Sequence, residues 1–86
     1  MTNSNNDFIQ EYAVGDKNFK VDSLLLLSLL TLSGAIEDPT PAAMIDSMRK
    51  AIRPIEDAAN LLDEEAYALS LRIMMNMRAL GKIGAP

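Results

Sequence analysis

One apolar seam dominates the carboxyl-terminal half of the chain. Between Ile45 and Leu80 the seam advances by three or four residues at each step, and ten of its eleven members are apolar. Its members are Ile45, Met48, Ile52, Ile55, Ala59, Leu62, Ala66, Leu69, Ile73, Asn76 and Leu80. Such spacing places the side chains along one side of a helix, where they require a partner surface. The pattern therefore predicts helices that pack against one another.

Pro41 precedes this seam, and Pro54 and Asp63 divide it into shorter helices. Pro41 is a strong helix start, and the helix that it opens should extend to at least Ile52. Pro54 then predicts a kink or a break near Arg53, because a proline inside a helix costs about 3 kcal/mol, and the kink is favoured because the seam keeps its phase beyond it. Asp63 can cap a last helix from Glu64 to about Leu80. A coiled coil between chains is disfavoured, since the positions that flank the seam carry too few paired charges.

The first residues follow a different pattern. Apolar and polar residues alternate on both sides of a Gly-Asp-Lys turn at residues 15–17, which predicts a short β-hairpin over residues 8–21. Residues 8–13 could instead form a helical turn. Residues 1–7 are small and polar, which predicts a disordered tail ahead of one helical domain at residues 8–86.

A leucine run follows the hairpin. Leu24–Leu32 precedes small residues and superficially resembles a secretory signal, but residues 1–22 carry a net charge of −2 where a signal is positive. The run is also shorter than the roughly 20 apolar residues of a membrane span. It therefore predicts a buried helix, which Asp22 or Ser23 can cap and Gly34 can end.

Composition narrows the function classes. Residues 1–43 hold the whole net charge of −4 and residues 44–86 are balanced, which disfavours a general nucleic-acid binder. The 86 residues include no Cys and no His, so thiol chemistry is excluded and the commonest metal ligand is missing. No nucleophile and base stand at a catalytic spacing, and we expect neither enzymatic activity nor a cofactor.

Together these patterns predict a mainly α fold, a small bundle of three to four helices that a short β-hairpin can precede. Its surplus of apolar helix surface suggests a protein that works by association. The candidate interface residues are Leu24, Leu27, Leu71, Met74, Met75, Asn76 and Met77. The methionines among them could equally fill a core, and the asparagine could fix a register or face solvent.

A small basic patch is the other candidate surface. Arg49, Lys50 and Arg53 could contact phosphate or nucleic acid, but a solvated face with local pairs such as Asp46 with Lys50 and Arg53 with Asp57 is favoured.

The leading functional hypothesis is a cytoplasmic assembly or adaptor protein that forms a homo-oligomer and binds a helical protein partner. Assembly chaperones of phage tails or secretion systems are examples of this class. The alternative is a regulator or inhibitor that docks on a larger enzyme or nucleic-acid machine.

Overall fold

The predicted β-hairpin is present near the start of the described chain. The structure is a computed structural model that describes residues 8–81 and 83. Strand β1 (Ile9–Val14) pairs antiparallel with strand β2 (Lys17–Asp22). Gly15 opens the two-residue turn at a φ of +62°, which a glycine adopts without steric cost. The hairpin prediction is confirmed, and the alternative of a helical turn is wrong. The predicted tail at residues 1–7 lies outside the described residues.

The leucine run forms helix α1 (Ser23–Leu32). Of its two candidate caps, Asp22 acts, because its Oδ1 accepts a hydrogen bond of 3.1 Å from the amide of Leu25. Leu26 and Leu30, one turn apart, are completely buried in the core. Gly34 follows the helix at a φ of +77°, the left-handed conformation expected of a glycine at a helix end.

Helix α2 (Pro41–Ala51) begins at the predicted proline but does not continue through a kink. Instead Ile52–Arg53 forms strand β3, with Ile52 opposite Val21 in the ladder with β2. Pro54 disfavours helical backbone at the preceding residue, and the extended backbone finds its partners on β2. The Arg53–Pro54 peptide bond is cis.

This third strand corrects the predicted fold class. The described residues contain an antiparallel sheet in the order β1, β2, β3 together with helices, so the fold is α+β rather than a mainly α bundle. The strand was missed because two residues are too few to show an alternating pattern, and because both fit the phase of the apolar seam.

A 3₁₀-helix (Ile55–Asn60) and helix α3 (Asp63–Ala79) complete the described fold. Helix α3 begins at Asp63 itself, so this aspartate is not its cap. The preceding residue, Leu62, occupies the cap position, and its amide donates a hydrogen bond of 3.0 Å to Oε1 of Glu65. Gly81 follows the helix with a φ of +77°.

The core lies where the sheet, α1 and α3 meet α2, which packs against both of these helices. Its apolar members are Phe19, Val21, Leu26, Leu30, Ala35, Met44, Met48, Ala51, Ile52, Ala58, Leu61, Ala66, Leu69, Ile73 and Met74. In the part of the chain that the structure describes, no helix has both the length and the apolar character needed to cross a bilayer.

The apolar seam is buried only in part. Met48, Ile52, Ala66, Leu69 and Ile73 belong to the core, whereas the members in the connecting segment turn outward. A 3₁₀-helix has 3.0 residues per turn instead of 3.6, so a spacing that marks one side of an α-helix does not mark one side here. The exposed members are Ile55, Ala59, Leu62, Asn76 and Leu80.

Candidate binding groove

An open groove lies between strand β1, helix α1 and the last two turns of helix α3. Its volume is about 550 Å³, within the range of about 300–1,000 Å³ that is usual for ligand sites. The lining residues are Phe8, Gln10, Tyr12, Ser23, Leu24, Leu27, Ile73, Asn76, Met77, Ala79 and Leu80.

The first wall comes from the inner face of the hairpin. Side chains alternate between the faces of a strand, so Gln10 and Tyr12 lie on the same face as Phe19 and Val21 opposite them. The two β2 residues are buried, whereas their β1 partners reach the groove. The hydroxyl of Tyr12 donates a hydrogen bond of 2.8 Å to Oε1 of Gln10, which links these two groove side chains.

Arg72 joins this wall to helix α3. Its guanidinium lies 5.3 Å from the centre of the Tyr12 ring, a cation–π distance. Its Nη1 also donates a hydrogen bond of 3.4 Å to the carbonyl of Ala13, on the edge strand β1. Arg72 therefore holds the hairpin beside α3 without lining the groove itself.

The other walls are helical and apolar. Leu24 and Leu27 stand three residues apart on α1, and Ile73, Met77 and Leu80 follow a spacing of four and three residues on α3. Leu24 is 50 % exposed and Leu80 73 % exposed, whereas Ile73 forms the floor. These walls expose large apolar side chains that no described part of the chain covers.

The groove carries no formal charge on the described residues that line it. Its polar lining consists of Gln10, Tyr12, Ser23 and Asn76. The hydroxyl oxygen of Ser23 is buried and has no hydrogen-bond partner among the described atoms. Amide and hydroxyl groups orient a ligand by hydrogen bonding, while the large apolar side chains supply most of its contact area.

The groove contains part of the predicted interface. Leu24, Leu27, Asn76 and Met77 line it, as one continuous surface from two helices. Met74 is 2 % exposed and belongs to the core, so its place in the predicted interface is corrected: its position on α3 faces inward. Leu71 is partly buried against the core, and Met75 is 54 % exposed but lies outside the groove.

Sequence reasoning missed Gln10 and Tyr12 on β1 and Phe8, which directly precedes this strand. Their spacing of two residues places them on one face of a strand, so the hairpin pattern contained the signal. What was missing was the position of that face relative to α1 and α3, which depends on tertiary packing.

The predicted basic patch does not form a free cationic surface. Arg49 donates hydrogen bonds of 2.8 and 2.7 Å to the carbonyls of Ala58 and Leu61 and pairs with Asp63. Lys50 forms the expected pair with Asp46, at 3.0 Å.

Arg53 is also turned toward the chain. Its Nη1 donates hydrogen bonds of 2.8 Å to the carbonyls of Lys50 and Ile52. The pair that was predicted between Arg53 and Asp57 is not among the ion pairs of residues 8–81 and 83. The patch therefore helps to organise the connection between α2 and α3.

A second polar cluster fixes the tip of the hairpin. Lys17 Nζ donates hydrogen bonds of 2.8 Å to Oε1 of Glu65 and 2.9 Å to the carbonyl of Asn60. The bond from Lys17, and then that from the amide of Leu62, holds the pKa of the Glu65 carboxyl below its ordinary value. Glu65 thus joins the hairpin tip to the start of α3 as a carboxylate.

The described lining of the groove consists of amide, hydroxyl and apolar side chains, which can contact a ligand through hydrogen bonds and apolar surface. Among the described residues, no three His, Cys, Asp or Glu side chains come together as a metal site requires. No protein-family model, curated protein or solved structure shows a significant match to the chain.

Proposed function

We propose that the protein is a small adaptor or assembly protein that binds an amphipathic helix of another protein in the groove. The observation that carries this proposal is the open, uncharged groove with apolar walls from α1 and α3. An exposed apolar surface with a polar surround is typical of a protein-interaction site.

The shape of the groove favours a helix as its occupant. Its α3 wall extends over residues 73–80, and the seven steps between the first and the last of these residues correspond to about 10 Å along a helix axis. Two turns of a bound helix have the same length and present apolar anchors at positions i, i+3 or i+4, and i+7. An added strand is a poorer fit, since Arg72 already binds the carbonyl of Ala13 on β1.

The electrostatics favour a partner whose contacting face is uncharged. The described lining residues offer no ion pair, so a charged side chain placed in the groove would lose water without gaining a counter-charge. The polar face of the partner helix would remain toward solvent.

The proposal places this binding in the cytoplasm. The leucine run that superficially resembles a secretory signal contributes Leu26 and Leu30 to the core, so the domain needs this segment for its own packing. Removal of the run would also remove one wall of the groove.

The test is a titration with a designed helical peptide of about 18 residues and zero net charge that carries three leucines at i, i+4 and i+7. Its control has the same composition with the leucines two residues apart. Amide NMR shifts of the labelled protein report the binding site. We expect shifts along Leu24, Leu27 and Met77, and a dissociation constant at least tenfold weaker for the control peptide.

Three variants locate the site, and two of them form a matched pair on the same helix. Met77→Arg should weaken peptide binding at least tenfold, whereas Met75→Arg should leave it unchanged, because Met75 is exposed on the same helix outside the groove. Leu80→Gln, at a largely exposed position, repeats the test without affecting the core. Equal binding by all three variants, or shifts that map elsewhere, would overturn the proposal.

A further inference from the structure

Asn76 is the only polar residue among the eleven members of the apolar seam. The structure places it in the α3 wall of the groove, where it is exposed. Ile73, three residues before it, and Leu80, four residues after it, line the same groove, and residues at these spacings share one face of a helix. The amide of Asn76 therefore lies between two apolar residues of the groove wall.

This amide is not bonded to any other described side chain or carbonyl. The side-chain hydrogen bonds of residues 8–81 and 83 include none that the Asn76 amide donates or accepts. On the opposite wall, the hydroxyl of Tyr12 donates to Oε1 of Gln10, so these two polar side chains bond each other. Asn76 therefore offers both a donor and an acceptor to a molecule that enters the groove.

A bound helix removes water from this amide, and the side chain that covers it decides the cost. An apolar side chain leaves the donor and the acceptor of Asn76 unpaired, which is unfavourable. A carboxylate supplies acceptors alone and an ammonium or guanidinium group supplies donors alone, and the described lining offers neither of them a counter-charge.

A carboxamide side chain satisfies these requirements best. It is uncharged, and it presents one donor group and one acceptor group side by side, as Asn76 does. Two carboxamides can therefore form two parallel hydrogen bonds. A hydroxyl group also donates and accepts, but it does so through a single oxygen.

We propose that Asn76 selects a partner helix that carries an asparagine or a glutamine within its apolar face. The inference rests on the proposed function, because it concerns the helix bound in the groove, and it adds the chemistry of one contact position. The carboxamide of the partner helix pairs with Asn76, and its flanking apolar side chains contact the apolar part of the wall. A single polar pair in an apolar helix contact fixes the register of the two helices.

The other residues of the α3 wall make this register unique. Ile73, Met77, Ala79 and Leu80 have no amide or hydroxyl group in their side chains. A shift of the partner helix by one turn moves its carboxamide from Asn76 toward Ile73 or Leu80, which leaves both carboxamides unpaired. The groove therefore binds such a helix in one register.

A specificity swap tests the proposal. One peptide is the designed helix with leucines at i, i+4 and i+7, and the other carries asparagine in place of the leucine at i+4. The measured quantity is the dissociation constant of the asparagine peptide divided by that of the leucine peptide. Asn76→Leu should raise this ratio by about tenfold or more, because the variant leaves the asparagine of the peptide without its partner.

Asn18→Leu is the matched control. Asn18 is exposed on β2 and does not line the groove, so its replacement should leave the ratio at the wild-type value. The amide NMR spectrum of each variant, which should match the wild type away from the substituted residue, shows that the fold is retained.

The outcomes separate this inference from the proposed function. If both peptides bind in the groove with a ratio that Asn76→Leu does not change, or that Asn18→Leu changes equally, the role of Asn76 is contradicted and the groove remains a helix-binding site. If neither peptide binds the wild-type protein, both proposals fail.

Discussion

Two regions of this small fold differ in how completely their side chains are bonded or buried within the chain. The first, which we call the closed region, consists of α2, β3, the 3₁₀-helix and the first half of α3. The second, the open region, consists of β1, α1 and the last turns of α3. In the closed region Arg49 is bonded to two carbonyls and a carboxylate, and Met44, Met48 and Ala51 are completely buried.

The open region leaves large apolar side chains unpaired. The two most exposed large apolar side chains of the described residues lie here: Leu32 is 84 % and Leu80 73 % exposed, compared with 54 % for Ile55 in the closed region. Their exposure contributes nothing to the stability of the isolated chain, and it becomes useful only when a partner covers it. The comparison suggests that the closed region supplies stability while the open region supplies binding.

The largest expected effect on the free energy of unfolding comes from a substitution in β3, where the apolar seam changes from buried to exposed. Ile52→Ala should lower the free energy of unfolding by about 3 kcal/mol, because Ile52 is completely buried between β2 and the helices. Ile55→Ala should cost less than about 1 kcal/mol, since Ile55 is 54 % exposed. Urea unfolding monitored by circular dichroism measures both, and equal losses would contradict the boundary between the buried and exposed seam.

A smaller effect is expected at the polar connection of the closed region. Arg49→Met keeps much of the side-chain volume but leaves the carbonyls of Ala58 and Leu61 without their donor, at a cost of roughly 2 kcal/mol. The neighbouring Lys50→Met removes only an exposed pair and should cost less than about 0.5 kcal/mol. The same urea titration serves for both, and similar losses would mean that Arg49 is an ordinary surface cation.

The smallest effect concerns the contact between the hairpin tip and the start of α3. The lowered pKa of Glu65, caused first by the hydrogen bond from Lys17, means that its carboxylate stabilises the folded state above the ordinary Glu pKa of about 4.3. This stabilisation is lost as the pH falls through the lower pKa of the folded state.

A double-mutant cycle with Lys17→Met and Glu65→Gln should therefore show favourable coupling at pH 7 that disappears toward pH 3. Thermal unfolding across this range is the measurement. Coupling that is unchanged at low pH would show that the contact acts through packing rather than through the charge of Glu65.

Most of the element boundaries were accessible from the sequence because local chemistry sets them. Gly15 in the turn, Asp22 at the start of α1 and Pro41 at the start of α2 each act on backbone groups within a few residues. Strand β3 was not accessible, since its pairing joins Ile52 to Val21 across α1 and α2. Hydrophobic periodicity records spacing along the chain and does not record such a distant partner.

The candidate site was accessible only in part for the same reason. Leu24, Leu27 and Met77 could be recognised as surplus apolar residues of helices, but the choice between core and surface depends on which neighbours cover each side. Met74 and Met75 are adjacent in sequence, yet one is buried in the core and the other is 54 % exposed. No count of apolar residues separates them without the orientation of α3.

The short strand β3 also affects how the molecule unfolds. Its pairing with β2 connects residues 31 positions apart, Val21 and Ile52, and encloses α1 and α2 in one loop. The hairpin therefore does not detach as an independent unit, because the inner edge of β2 is bonded to the segment that follows α2. Amides of β2 at this edge should exchange with solvent as slowly as those of the core helices, in one cooperative opening of sheet and helices.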